Sequence, residues 1–159
     1  MTEDRGTGSA TDLVVSSGVI DGMTHRLPIR VYYEDTDAGG IVYHANYLRF
    51  AERARSELLR VIGWGHERLV AEFGLGWVVR RLDADYRLPA RLGEDLTVIT
   101  SLTRLSGASV EALQRICRGT EELVRIKLQL VLLTAAGRPG RLPAGLRQVL
   151  QPFEQAPET

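Results

Sequence analysis

The sequence predicts an α+β domain in which one long amphipathic helix packs against an antiparallel sheet of five strands. Three observations carry that expectation: a stretch of period two ahead of the helix, a single segment of three- and four-residue apolar spacing, and four more period-two stretches joined by short turns. One helix against one sheet also satisfies the two-layer rule for burying a core. A length of 159 residues with 44% apolar composition suits one such domain and is too short for two. Residues 1–24 read as a flexible N-terminal tail, 25–150 as the folded domain and 151–159 as a fraying C-terminal tail.

The first strand starts at His25, with Ile29, Val31 and Tyr33 on one face and Arg30 and Tyr32 on the other. It ends at Glu34-Asp35-Thr36-Asp37-Ala38-Gly39-Gly40, where short polar residues and paired glycines make a turn. A helix follows from about Ala45-Asn46, burying Tyr47, Phe50, Ala51, Ala54, Leu58, Val61 and Ile62 and presenting Arg49, Glu52, Arg53, Ser56, Glu57 and Arg60 outward. Asn46 is suited to cap it, and Gly63 to stop it in the left-handed conformation. A shorter helical piece, Glu67 to Phe73, ends at Gly74 and Gly76.

From Trp77 onward the pattern is strand. Val78, Leu82, Ala84, Tyr86 and Leu88 share one expected face, then Leu96, Val98, Thr100 and Leu102, then Val110, Ala112, Gln114 and Ile116. The last strand, Glu121 to Thr134, alternates Val124, Ile126, Leu128, Leu130 and Leu132 against Arg125, Lys127 and Gln129. Such alternation marks antiparallel strands with one face buried.

Charge and cysteine content exclude several classes. Twenty basic and twenty acidic side chains balance, so nothing advertises a nucleic-acid or membrane-surface partner. Lys127 is the only lysine, and the arginines that replace it elsewhere are the better fork for phosphate. Cys117 is alone, so no internal disulfide forms; it sits opposite Ile116 in a strand with no histidine near it in sequence. No apolar run has the length of a membrane span, and the N-terminus lacks the hydrophobic segment of a secretory signal, which predicts a cytoplasmic protein. His25, His44, Asp35 and Asp37 fit no familiar metal-ligand spacing, there is no H-E-x-x-H, and no metal is expected. No G-x-S-x-G elbow is present for a Ser-His-Asp hydrolase.

The stretch from Arg30 to Tyr47 carries the chemistry. Two carboxylates end a strand, two glycines let a ligand approach the main chain, and a helix N-terminus with free N–H groups follows. Hydrolysis of an activated acyl group needs a carboxylate beside such an electrophilic site. Short acids before a Gly-Gly turn are also common as turn formers and helix-entry charges, and local chemistry alone goes no further than that.

The segment YYEDTDAGGIVYHANYLRFAERAR resembles the signature of the YbgC-type (Tol–Pal-associated) acyl-CoA thioesterases, relatives of the 4-hydroxybenzoyl-CoA thioesterases in the hotdog superfamily. Weaker similarity extends through Pro89-Ala90-Arg91 to Arg141-Leu142-Pro143. The resemblance implies a hotdog fold, a sheet wrapped around one central helix, and an acyl-CoA substrate, with an acyl-carrier-protein thioester as the other candidate. It implies Asp37 as the catalytic carboxylate, acting as general base or nucleophile, and the backbone N–H of His44 as the donor to the thioester carbonyl. The His44 side chain then either relays a proton or merely shapes the loop. Tyr43 and Asn46 are candidates for lining the substrate pocket. By analogy with related enzymes, Arg138 and Arg141 are candidates for the coenzyme A phosphates, a solvated basic turn being the other reading of them. No cofactor is implied beyond coenzyme A as part of the substrate, and the family forms homodimers or homotetramers. A hotdog dehydratase or isomerase and a non-catalytic acyl-thioester-binding or envelope-interaction protein are the alternatives.

Overall fold

The computed structural model describes residues 16–157. Six strands form one antiparallel sheet: β1 (Val19–Asp21), β2 (Thr24–Arg30), β3 (Leu75–Tyr86), β4 (Asp95–Leu105), β5 (Ser109–Arg118) and β6 (Glu121–Thr134), in the order β1-β2-β4-β5-β6-β3. The long helix α1 (His44–Val61) lies against it, followed by a short turn of helix α2 (His66–Arg68), a π-helical turn at Leu69–Phe73 and, after β6, helix α3 (Ala144–Leu150). The wrap implied by the resemblance is present, with one more strand than the five expected. The addition is β1, a three-residue edge strand pairing Val19, Ile20 and Asp21 with Arg26, His25 and Thr24. It falls in the part expected as tail, residues 16–24; residues 1–15 of that tail lie outside the described residues.

The core sits between the inner stripe of α1 and the inner face of β4, β5 and β6. Phe50, Ala51, Ala54 and Leu58 meet a sheet face built from Leu96, Val98, Val110, Ile116, Ile126 and Leu132, all buried. Each large aliphatic or aromatic side chain so placed contributes about 1.5–3 kcal/mol. A polar bridge is built into this layer. Gln114, fully buried on β5, donates to the Ala51 carbonyl (2.9 Å) and Thr100 Oγ1 (3.0 Å) and accepts from Arg55 (2.8 Å), tying the middle of α1 to the sheet.

Three elements differ from expectation. The face assigned to β3 breaks at Val78 because a bulge between Val79 and Arg81 inserts one residue. Trp77 and Val79 therefore oppose Leu132 and Leu130, and beyond the bulge Leu82, Ala84 and Tyr86 oppose Leu128, Ile126 and Val124, while Val78 turns to the other face. The helix begins one residue before Ala45 and its N-cap is Tyr43, which makes no side-chain cap. Asn46 instead sends its amide into the preceding loop, described below. Residues 151–157 are packed rather than frayed: Phe153 is buried, the Glu154 carboxylate accepts the Leu105 N–H (2.9 Å), and Gln155 N–H donates to the Leu102 carbonyl (2.8 Å). Unpaired groups at the end of β4 give that segment somewhere to dock, which composition could not reveal. The expected stop at Gly63 is present, with φ at +79°.

Candidate active site

The site residues gather where β2 runs into α1. After Val31, whose N–H continues the pairing by donating to the Glu94 carbonyl, the chain makes one 3₁₀ turn at Tyr33–Asp35. The Asp35 carboxylate closes that turn on the Tyr32 N–H (2.8 Å), and the Asp35 carbonyl accepts from both the Tyr43 N–H and the Asn46 side-chain amide (2.9 Å each). Asp35 is thus occupied in stapling the loop to the helix entrance, and Asn46 serves that staple.

Asp37 has a different environment. Its N–H donates to the Ile41 carbonyl and its carbonyl accepts from Gly40 N–H (3.0 Å each), forming a tight reversal that Thr36 and Val42 close with a bridge. Gly40 takes φ +75°, open to glycine at no steric cost. One carboxylate oxygen accepts the Gly39 N–H (2.8 Å), and a Cβ added at Gly39 would stand 3.1 Å from that oxygen. The other oxygen has no protein partner among the described residues, and the side chain is exposed. Each of the two carboxylates accepts one backbone N–H, and what separates them is placement: Asp35 is half-buried with its carbonyl tied to the helix entrance, whereas Asp37 stands exposed on the glycine turn.

His44 is the first residue of α1. Its N–H, an orphan of the first turn, donates to nothing among the described residues. Its exposed ring tilts against Tyr43 at 4.5 Å and meets Tyr86 edge-on at 6.2 Å. Tyr86 also donates its hydroxyl to the His44 carbonyl (3.0 Å) and packs on Tyr47 at 5.8 Å, while the Tyr47 hydroxyl accepts the Ala90 N–H (2.9 Å). Tyr86 is a site residue that sequence reasoning missed. It lies 42 residues from His44, and only its place just ahead of Pro89-Ala90-Arg91 hinted at it.

That turn braces the loop from behind. The Val42 N–H donates to the Ala90 carbonyl, and Arg118 holds the turn through Glu94 (2.8 Å), Glu121 (2.6 Å) and the Pro89 carbonyl (3.3 Å).

Arg138 and Arg141 are not brought to Asp37 within the chain. Both are exposed and follow the Thr134 end of β6, where the Arg138 carbonyl accepts the Thr134 N–H. The Asp37 loop adjoins the other end, through Tyr86 opposite Val124. The stretch of β6 from Val124 to Thr134 puts roughly 33 Å of strand between them.

A cavity of about 100 Å³ opens between the second half of α1 and the sheet, lined mostly by apolar side chains including Leu58, Leu59, Leu130 and, on β3, Trp77 and Val79. Arg55 borders it, its guanidinium held by Gln114. Cys117 is buried on the opposite sheet face, and burial pushes its thiol pKa up, away from thiolate chemistry. Among the described residues no three His, Cys, Asp or Glu side chains converge as a metal would need, and no helix is long and apolar enough to cross a membrane.

The model of the "Thioesterase superfamily" matches residues 39–125, more than half of the chain. The chain belongs to that superfamily. The matched segment of this thioesterase-superfamily member includes Tyr43, His44, Asn46 and Tyr86 and begins two residues after Asp37. The chain is similar to "Acyl-CoA thioesterase YbgC" of Haemophilus influenzae, at 48% identity over 93 residues, 58% of this chain and 68% of that protein. It is similar also to "Acyl-CoA thioester hydrolase YbgC" of Escherichia coli O157:H7, at 46% over 99 residues, 62% and 73% of the two chains. Among solved structures, a probable thioesterase from Bartonella henselae superimposes with a TM-score of 0.73 at 40% identity, over 76% of this chain and 99% of that one. These likenesses agree with the hotdog architecture.

Proposed function

We propose that the protein hydrolyses an acyl-CoA thioester to the free acid and coenzyme A, with Asp37 as its catalytic carboxylate. The observation that carries the reading is the pairing, in one short segment, of a carboxylate with a free oxygen and a helix start with a free N–H at His44. Its likeness to proteins named acyl-CoA thioesterases supplies the substrate class. In hydrolysis, water adds its oxygen to the acyl carbon, the C–S bond breaks, and the proton passes to the departing thiolate. Asp37 either takes the proton from that water or attacks first and is freed by water. The His44 N–H donates to the carbonyl oxygen as it gains charge, a contribution of about 2.7–4 kcal/mol for such a donor.

The same reading takes two copies. Strand β3 has β6 on one side only, leaving an edge whose length invites pairing. Antiparallel pairing of β3 with itself about a two-fold axis sets the Leu75 end of one copy against the Tyr86 end of the other. The partner subunit's Arg138 and the partner subunit's Arg141 then approach the Asp37 side of the first copy, suited to the phosphates of coenzyme A. The apolar cavity at Trp77 and Val79 lies toward the Leu75 end of β3, which this pairing sets near the Tyr86 end of the other copy, and it suits the acyl group. A homodimer, or a homotetramer of two such dimers, acting in the cytoplasm completes the proposal, and co-purification with Tol–Pal components tests the family association.

The decisive experiment follows release of free thiol from a panel of acyl-CoAs and one acyl-carrier-protein thioester. We expect turnover by the wild type and a fall of at least a hundredfold in Asp37→Asn with an unchanged thermal melt, roughly the scale of a lost acid–base group. Near-normal turnover in a folded Asp37→Asn removes the mechanism, and no turnover by the wild type on any thioester removes the activity.

A further inference from the structure

The hydroxyl of Tyr86 has no place in the chemistry above, yet it reaches the catalytic turn. We infer that Tyr86 is a positioning residue for the reaction: by donating its hydroxyl to the His44 carbonyl, it fixes the first turn of α1 so that the His44 N–H keeps its aim at the thioester oxygen. The inference rests on the proposed role of that amide.

The geometry supports it from both ends. A first-turn N–H group is held by no hydrogen bond of its own, so its direction depends on whatever restrains the turn. Here Tyr43, the N-cap, makes no side-chain cap, and the turn is restrained by the Asn46 N–H on the Tyr43 carbonyl (2.8 Å) and by the Asp35 carbonyl bonded to Tyr43 N–H and the Asn46 amide. The Tyr47 hydroxyl, accepting the Ala90 N–H of the β3–β4 turn, and the Tyr86 hydroxyl, bonded to the His44 carbonyl at 3.0 Å, restrain it further. Of these, only the Tyr86 bond comes from the sheet. Its ring is set by edge-on contacts with the His44 ring (6.2 Å) and the Tyr47 ring (5.8 Å), and its backbone by the pairing of β3 with β6 at Val124. A phenol suits the task because it donates one hydrogen bond and stays protonated; burial raises its pKa above the usual value of 10.0. The carbonyl it engages also accepts from the amide of Leu48 in the ordinary helical pattern, its second lone pair being open to the Tyr86 hydroxyl. In addition, Tyr86 lies on the free edge strand, so pairing of two copies there would be felt at the catalytic turn.

The test is Tyr86→Phe, which removes one oxygen and keeps the ring. Steady-state kinetics are measured for wild type and variant on the best acyl-CoA of the panel, with thermal melts and the ¹⁵N–¹H amide resonances of His44 and Leu48. We expect kcat to fall roughly 10- to 100-fold, the scale of a small misplacement of a reacting group. KM and melt should stay as in the wild type, and both amide resonances should shift. A loss of activity that follows a lowered melt, or a raised KM with unchanged kcat, overturns the inference, since the hydroxyl would then serve stability or ground-state binding. Unchanged kcat in the variant beside an active wild type overturns the role of Tyr86 and leaves the thioesterase reading standing. A wild type inactive on every thioester overturns both.

Discussion

At the scale of single residues, the fold distinguishes groups that look alike in the sequence. Asp35 and Asp37 are two residues apart and each carboxylate takes one backbone N–H, but the Asp35 main chain is stapled to the helix entrance while Asp37 is exposed. His25 and His44 divide in the same way. His44 is exposed at the helix start, whereas His25 is fully buried, with Nε2 on the Ser17 carbonyl at 2.7 Å and Nδ1 without a partner. Burial lowers the His25 pKa, against smaller opposing effects of the Ser17 bond and of Glu57. A lowered folded-state pKa means that the unfolded chain binds the proton more readily. This stabilisation is therefore complete above the unfolded value, about 6.5, and is lost as pH falls through it toward the folded value. Thermal melts should drop between pH 7.5 and 5, and His25→Gln, though less stable at pH 7.5, should show a flatter profile over that window. Parallel profiles would assign the acid sensitivity to other groups.

At the scale of elements, α1 is joined to the sheet by packing and by one buried polar bridge. Gln114 was legible as an inward-facing position of β5, because the alternation of Val110, Ala112 and Ile116 fixed its face. Nothing in the sequence told that its amide would reach Ala51, Thr100 and Arg55, since those partners lie on two other elements. Removing it leaves a buried carbonyl, a hydroxyl and a guanidinium short of a partner. Gln114→Ala should cost about 2–4 kcal/mol, read as a lowered denaturation midpoint with an unchanged slope. A cost below about 0.5 kcal/mol, the range of ordinary surface changes, would show that water replaces the amide without loss. The β3 bulge and the packed segment at residues 151–157 teach the converse. Period-two reading assumes an unbroken strand and composition assumes that polar ends fray, and each assumption failed where a tertiary partner intervened.

At the scale of the whole molecule, one copy does not bring all the candidate site residues together. The Asp37 loop and the Arg138–Arg141 turn lie at opposite ends of β6, and in the proposed dimer the edge of β3 is where a second copy would close the distance. Val78 is exposed on that edge strand, at 44%, and does not line the cavity. Replacing it by lysine brings like charges together about a two-fold axis while changing little inside the protomer. Sedimentation should show the wild type as a dimer or tetramer and Val78→Lys as a smaller species, with activity lost in parallel. A monomeric wild type with full turnover would end the two-copy reading.

The sequence by itself determined the class of fold, the extent of the long helix and the inward faces of β4, β5 and β6, while the segment from Asp35 to Asn46 was marked as the candidate site by its resemblance to a family. The first three follow from periodicity and from short-range turn chemistry, which act between residues close along the chain. Only the tertiary structure decided which acid is exposed, that Asn46 staples the loop instead of capping the helix, that Tyr86 reaches His44, and that the arginines stand far from Asp37 in their own chain. Each of those outcomes depends on which elements meet in space, and contacts between residues tens of positions apart leave no period in the sequence.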